Sequence, residues 1–335
     1  MEELNLNNGY IDIVIPWVDG QDKDWQKKAM NYMKDFDEKR YRDWDILRYV
    51  LRSIEKYSPW VHKVYLVTDN QKPNWLNEDY EKIEVVDHKQ IIPEKYLPTF
   101  NSNVITLNLY KIPGLSEKFI VMNDDLIFSA PTKCTDFFKG DLPCDFFVES
   151  PVLGEIPWHK TVLNGVILIN QKFNKRKFMK KHIDKCFSIL YGKNNLKTLF
   201  SLPYKLYTGF FSDHGPQPYL KRSFETVWEI YKEQLEENNT HRLRQSGEDI
   251  PDYIVRYYQL VSGNFNPRKV KNKTMYYPIG KNNFNEINSS LKKQKYQSIV
   301  LNDDEVIKVD NFDITFKEIH KVLENNFPQK SKFEK

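Results

Sequence analysis

At 335 residues, with 40% hydrophobic and 29% charged residues, the chain can bury a substantial core, as one large α/β domain or as a core with an inserted subdomain. A net charge of +4 is too small to argue for nucleic acid as a partner. The cysteines Cys134, Cys144 and Cys186 show no metal spacing and cannot all pair, which fits a reducing compartment. Met1–Gly9 lacks the apolar stretch of a signal peptide, and no apolar run approaches the ~20 residues of a membrane span, so a soluble, cytoplasmic protein is expected.

Tyr10–Val18 reads as a first strand, closed by Asp19-Gly20, and a polar connection, partly helical, runs over Gln21–Arg42. Asp43 is a plausible N-cap for a helix whose Leu47, Val50, Leu51 and Ile54 fall on one face, and Ser58-Pro59 ends it. Val64–Thr68 is a second buried strand ending in Asp69-Asn70, and Ile83–Val86 a third. Asn101 or Ser102 caps the next helix, which stops at Pro113, and Phe119–Met122 is a further strand running into Asn123-Asp124-Asp125. Strands alternating with helices at this spacing predict a doubly wound, mostly parallel α/β sheet, whose ligands bind at the carboxyl ends of its strands. Asp19, Asp69-Asn70 and Asn123-Asp124-Asp125 all stand at such ends, which points to one ligand crevice. Neither a dinucleotide fingerprint nor a P-loop occurs.

Beyond about Pro131 the pattern loosens. Asp145–Glu149 and Val162–Ile169 read as strands, and Lys177–Tyr191 as a helix stopped by Gly192. Tyr207–Asn266 reads as site-building loops with one helix, Lys269–Gln297 as a flexible or edge excursion, and Thr315–Asn325 as a closing helix. Nine basic residues and one acid lie between Gln171 and Lys197, interleaved with aromatic and aliphatic residues. A basic amphipathic helix of this kind suits a membrane surface, against the alternative of an ordinary solvated helix.

Carboxylates at strand ends are costly to desolvate unless a cation or donors meet them, and a hard cation such as Mg²⁺ (or Mn²⁺) holding a diphosphate is the fitting partner. His214 sits between Asp213 and Gly215-Pro216 in a rigid turn, where an imidazole can be aimed and can take a proton near neutral pH. Arg48 and Arg52 lie one helical turn apart and can either meet phosphates or pair with Asp45. His241 and Arg244 add another basic cluster, arginine being suited to bidentate phosphate contacts.

Several stretches together resemble the Stealth family of sugar-1-phosphate transferases. Ile11–Gly20 is similar to its first block, and Arg42–Phe138 to its second, including Leu51–Trp60, Val67-Thr-Asp69, Pro98–Asn103 and Phe119–Asp125. Ser212–Pro218 with His241–Tyr258 resembles the third block, and Ile299–Asp304 with Phe327–Glu334 the fourth. Pro16 is a departure, the family more often having Thr there.

The resemblance implies one catalytic domain over 1–335 with a nucleotide-sugar-transferase (GT-A-like) core and helical or loop insertions. Residues 1–140 would bind the nucleotide sugar, and 141–335 would complete the site on the acceptor side. The implied reaction moves a hexose-1-phosphate, of GlcNAc or a related sugar, from a UDP-sugar to a hydroxyl of a glycan or lipid-linked oligosaccharide. It forms a phosphodiester and releases UMP. A bacterial capsule or cell-surface polysaccharide enzyme is expected, cytoplasmic and in peripheral contact with the inner face of the cell membrane. Asp124 and Asp125 would hold the metal, with Asn302 and Asp303 from the similar Leu301–Asp304 corner as further ligands. Arg48, Arg52 and Arg244 would neutralise phosphate charge, and His214 would be the base. Asp19 and Asp69 would face uridine and ribose, Asn101 and Asn103 would contact donor or acceptor sugar, and Gly20 and His241 would also bind substrate. The alternatives are an ordinary metal-dependent glycosyltransferase releasing UDP and a non-catalytic glycan-binding subunit.

Overall fold

The computed structural model describes residues 9–33, 43–154, 156–270, 273–303, 309 and 311–335. Part of the Gln21–Arg42 connection and Asp304 of the second Asn-Asp-Asp corner therefore lie outside the described residues. In chain order the strands are β1 (Ile11–Pro16), β2 (Val64–Thr68), β3 (Ile83–Asp87), β4 (Lys118–Val121), β5 (Leu126–Phe128), β6 (Phe138–Lys139), β7 (Leu142–Asp145), β8 (Gln217–Leu220), β9 (Asn266–Pro267), β10 (Thr274–Pro278) and β11 (Ser298–Asn302).

The main sheet has the order β3-β2-β1-β4-β8; its first four members are parallel and β8 runs antiparallel along the edge. The chain winds outward from β1 in both directions, so strand order reverses between β1 and β4, the position where such sheets bind ligands. Alternate side chains feed two separate cores. Val14, Tyr65, Val67, Phe119, Val121 and Tyr219 pack on one face with the helices Ser102–Asn108, Pro157–Lys172, Lys221–Ile230 and Tyr253–Ser262. Ile13, Ile15, Val64, Leu66, Ile120 and Leu220 pack on the other with the helices Leu47–Tyr57, Phe284–Lys292 and Phe312–Asn326. The sheet is doubly wound, as the alternation of apolar strands and amphipathic helices predicts.

A second sheet, β10-β11-β5, abuts the first because β5 follows directly on the Asp124-Asp125 turn and pairs antiparallel with β11. Among the described residues both cores draw side chains from before and after residue 140, and β8 completes the first sheet.

Several sequence expectations change. Val162–Ile169 belongs to the helix Pro157–Lys172, opened by proline at its first turn; its short apolar run is equally compatible with a strand, and burial of Val162, Val166 and Ile169 at helical spacing decides the matter. The continuous helix 177–191 is instead a short helix, Lys175–Lys181, then a break at His182, one turn over Ile183–Cys186, and a 3₁₀ run over Ile189–Asn194 kinked at Gly192. Lys269–Gln297 carries β10 and the helix Phe284–Lys292, and Tyr207–Asn266 carries several helices rather than one. Asp43 does not cap the helix Leu47–Tyr57, whose N-cap Ile46 has no side-chain bond; its carboxylate instead receives the N–H of Asp45 at 2.7 Å.

Candidate active site

The turn after β4 is gripped by buried Met122 and Leu126, which leaves Asn123 exposed and Asp124 and Asp125 partly exposed between the two sheets. Asp125 Oδ2 accepts from the Asn302 side-chain amide at 3.0 Å, and Asn302 Oδ1 accepts from the Tyr276 hydroxyl at 2.8 Å. The Tyr276 ring lies against the His214 imidazole, centroids 6.0 Å apart and tilted by 47°. A continuous chain of contacts thus links the acidic corner, through the end of β11 and the middle of β10, to His214.

The His214 loop is built for one shape. Its backbone φ of 52° is uncommon for a residue with a side chain, and its N–H donates to Ser212 Oγ at 3.3 Å. Asp213 accepts from Arg268 at 3.1 Å and from the N–H of Gly215 at 3.3 Å. A side chain at Gly215 would run into Thr274 Oγ1 on β10, so glycine is required where the loop meets that strand. The His214 ring reaches solvent yet is flanked by protein, and the resulting loss of hydration lowers its pKa, with the Asp213 carboxylate opposing. It therefore stays neutral, and able to accept a proton, at neutral pH.

The acidic corner is electrostatically uncomfortable as it stands. Burial raises the pKa of Asp124 well above the carboxylate range, with the charges of Asp125 and Asp43 adding to it, and burial pushes Asp125 to about 6. Asp43 is likewise raised to about 6, mainly by burial, with Asp45 and Asp19 contributing. Asp125 Oδ1 is buried with no hydrogen-bond partner. An orphaned oxygen beside repelling carboxylates is the environment a hard cation relieves. Among the described residues no three His, Cys, Asp or Glu side chains are gathered closely enough to hold a metal ion by themselves.

The other expected site residues divide sharply. Asn302 stands beside Asp125 as the repeated Asn-Asp-Asp corner suggests, but both ends of its amide are engaged, so it orients Asp125 rather than offering a free ligand atom. Asp303 Oδ2 accepts from the Trp44 indole at 3.0 Å, which draws the Asp43–Asp45 segment toward the same corner. Asp19 reaches the cluster electrostatically through Asp43, and its Oδ1 accepts the Gln21 N–H at 2.8 Å. Gly20 is buried beside it, its carbonyl accepting from Gln26 at 2.8 Å. Arg244 is exposed, with Nε and Nη2 on Ser102 Oγ at 3.1 and 2.7 Å, at the start of the helix Ser102–Asn108.

Arg52 is not available to phosphate. It is 7% exposed and clamps Glu334 with Nε and Nη2, both at 2.8 Å, while Nη1 donates to Phe327 O at 2.6 Å and Glu324 at 3.1 Å. Arg48 takes the local alternative, pairing with Asp45 at 3.3 Å and stacking on Trp75. Asp69, just after β2, is paired with Lys28 of the helix Lys23–Met30 at 2.8 Å. Asn101, Asn103 and His241, expected to bind substrate, are built into the scaffold. All three are buried and bond to Asp249: the amides at 3.0 and 3.3 Å, the imidazole Nδ1 at 2.9 Å. These bonds tie all three into the fold around Asp249.

Sequence reasoning missed Asp43 and Tyr276 as site residues. Asp43 was visible only as a helix-start signal, and nothing local marks a tyrosine in the middle of β10 as facing a histidine 62 positions earlier.

Residues 9–36 match the model of Stealth protein conserved region 1, and residues 40–144 that of conserved region 2. The chain is 38% identical over 337 residues to the capsular polysaccharide phosphotransferase WcwK of Streptococcus pneumoniae, covering 98% of this chain and 99% of that one. The chain belongs to the Stealth family. Another relative, the exopolysaccharide phosphotransferase cps2G of Lactiplantibacillus plantarum, is 39% identical over 97% of this chain and 96% of its own. The receptor polysaccharide phosphotransferase WefC of Streptococcus gordonii is 35% identical over 97% and 98%. Like these relatives, this Stealth protein is a phosphotransferase. Among solved structures, the galactosyltransferase LgtC in complex with donor and acceptor sugar analogs covers 94% of this chain and 95% of that one, with a TM-score of 0.44 and 9% identity, a likeness too slight to carry any argument.

Proposed function

We propose that this Stealth protein transfers a hexose-1-phosphate from a UDP-sugar to a hydroxyl of a glycan or lipid-linked oligosaccharide during synthesis of a capsular or cell-surface polysaccharide. The observation that carries the reading is the contact chain Asp125–Asn302–Tyr276–His214, which joins the acidic corner to a neutral imidazole. The acceptor oxygen attacks the phosphorus that bears the sugar, and the bond from that phosphorus to the bridging oxygen breaks. UMP departs with the bridging oxygen, the new linkage is a phosphodiester, and His214 takes the acceptor's proton. Asp124 and Asp125 are the residues that would hold Mg²⁺, which when bound neutralises diphosphate charge. Arg244 adds a second positive group beside the head of the helix Ser102–Asn108.

The deciding experiment incubates the protein with UDP-GlcNAc, Mg²⁺ and a glycan acceptor and follows products by phosphorus NMR. A phosphodiester together with UMP is expected; accumulation of UDP would make the protein a glycosyltransferase that breaks the anomeric bond. His214→Ala is expected to lower the rate by about 10²–10⁴-fold, and a near-normal rate would remove His214 as the base.

A further inference from the structure

The stretch that a sequence reading takes for a basic helix separates in the structure into two surfaces with different chemistry. Helix Lys175–Lys181 turns Phe178 and Met179 inward and leaves Lys177, Lys180 and Lys181 on the outside, so it offers charge without an apolar face. The apolar face lies further on, where Ile189 is 91% exposed, Phe200 75%, and Leu196, Leu199, Tyr204 and Leu206 each about half exposed. Leu196, Leu199 and Phe200 share one side of the short helix Asn195–Ser201, and the segment Leu202–Leu206 is exposed throughout. Single exposed apolar residues are ordinary, but a run of this density marks a surface that something covers.

These side chains are not outside because the segment is loosely held. Lys175, 2% exposed, sits beneath it: Nζ bonds Glu149 at 2.7 Å and the carbonyls of Ser201 at 2.7 Å and Leu206 at 3.5 Å. Tyr207 is bracketed by the Asn170 side chain, its N–H donating at 2.8 Å and its carbonyl accepting at 2.9 Å. The backbone is fixed from below while its apolar side chains point away. Exposed Lys193, Lys197 and Lys205 are interspersed with them, and between Gln171 and Lys205 the only acid is Asp184, against ten Lys and Arg.

We propose that residues 189–206 seat this protein on an anionic bilayer, Ile189, Leu199, Phe200 and Leu206 entering the headgroup–acyl boundary while the lysines meet anionic headgroups. Charge complementarity chooses this occupant. A second copy would bring the same lysines face to face, whereas a leaflet rich in negative headgroups supplies both an apolar layer and the counter-charge. Among the described residues no helix is long and apolar enough to cross a membrane, so the contact is with the surface. The placement also serves chemistry: Leu206 and His214 are eight positions apart, a reach of at most about 28 Å, so an acceptor anchored in the same leaflet would arrive near the catalytic loop. The docking itself does not depend on the proposed reaction.

The test is co-sedimentation of the full chain with vesicles of phosphatidylglycerol and phosphatidylcholine, and with phosphatidylcholine alone. Binding is expected to the first, weakened by salt, and to fall by roughly tenfold or more in the combined Ile189→Ser, Phe200→Ser, Leu206→Ser variant. A second variant, Lys193→Glu with Lys197→Glu and Lys205→Glu, should lose the preference for phosphatidylglycerol while keeping its fold. Both should turn over a water-soluble acceptor at the wild-type rate. Failure of the wild type to bind phosphatidylglycerol vesicles at low salt would overturn the proposal. So would serine-variant binding equal to wild type, or a wild-type dimer that the serine substitutions dissolve while vesicle binding is absent.

Discussion

The acidic corner Asn123–Asp125 and the buried cluster of Asn101, Asn103, His241 and Asp249 both combine asparagine with aspartate, yet they are opposite kinds of object. In the cluster every carboxylate oxygen of Asp249 is claimed: Oδ1 by Asn101 and His241, Oδ2 by Asn103 and the N–H of Gln245 at 2.7 Å. In the corner Asp125 keeps a buried oxygen with no partner, and burial makes Asp124 and Asp125 hold protons more tightly than an ordinary carboxylate, with the charges of Asp125 and Asp43 adding to it at Asp124. A satisfied polar network stabilises a fold, whereas an unsatisfied one stores a demand that only a ligand meets. Residue type alone cannot separate the two; hydrogen-bond completeness does.

Substitutions should therefore act in opposite directions at the two places. The largest effect is expected at Asp249→Ala, which strips partners from the buried imidazole and amides and should cost about 3–5 kcal/mol of stability, seen as a lower midpoint in urea with the turnover of the surviving folded protein retained. Arg52→Ala should behave likewise, releasing Glu334 and the C-terminal segment, and a pure loss of turnover at normal stability would restore Arg52 to the phosphate site. Asp124→Asn should do the reverse: turnover falls by about 10²–10³-fold while the fold holds, and Mg²⁺, expected to raise the melting temperature of the wild type, should leave that of the variant unchanged.

A smaller effect concerns Asp125, and its sign is the sharper test. The folded protein binds the Asp125 proton up to about pH 6, whereas the unfolded chain releases it near 4. Stability therefore falls as pH rises between those values, and the cost persists above them. Asp125→Asn removes that cost, so in chelator at neutral pH the variant should be more stable than wild type by about 1–2 kcal/mol, after allowance for solvent at this partly open site. A less stable variant would place Asp125 among the scaffold residues instead. The smallest effect is expected at Tyr276→Phe, where losing the hydroxyl bond to Asn302 should lower the rate by about tenfold or less and leave thermal stability nearly unchanged. His214, crowded and neutral, should place the acid limb of kcat/KM below the ordinary histidine range, and a limb above it would reassign the base.

Much of the fold was legible because its signals are local. The apolar runs of β1, β2 and β4, the amphipathic stripe of Leu47–Tyr57 and the acids after the strands are patterns of period and neighbour, and they suffice for a doubly wound sheet with acids at the ends of its strands. The repeated Asn-Asp-Asp corner correctly hinted that Asn302 comes near Asp125. Val162–Ile169 failed because a short apolar run carries the same signal in a buried helix as in a strand.

What the sequence by itself determined is thus the sheet, the corner and, by its resemblance, membership in the Stealth family. Only the tertiary structure decided which polar residues remain open to a ligand. The partner of Arg52 lies 282 residues away, that of Trp44 259, and that of Asn101 148. No local pattern encodes such pairings, because a side chain is available for chemistry only when the folded neighbours around it leave it incompletely bonded.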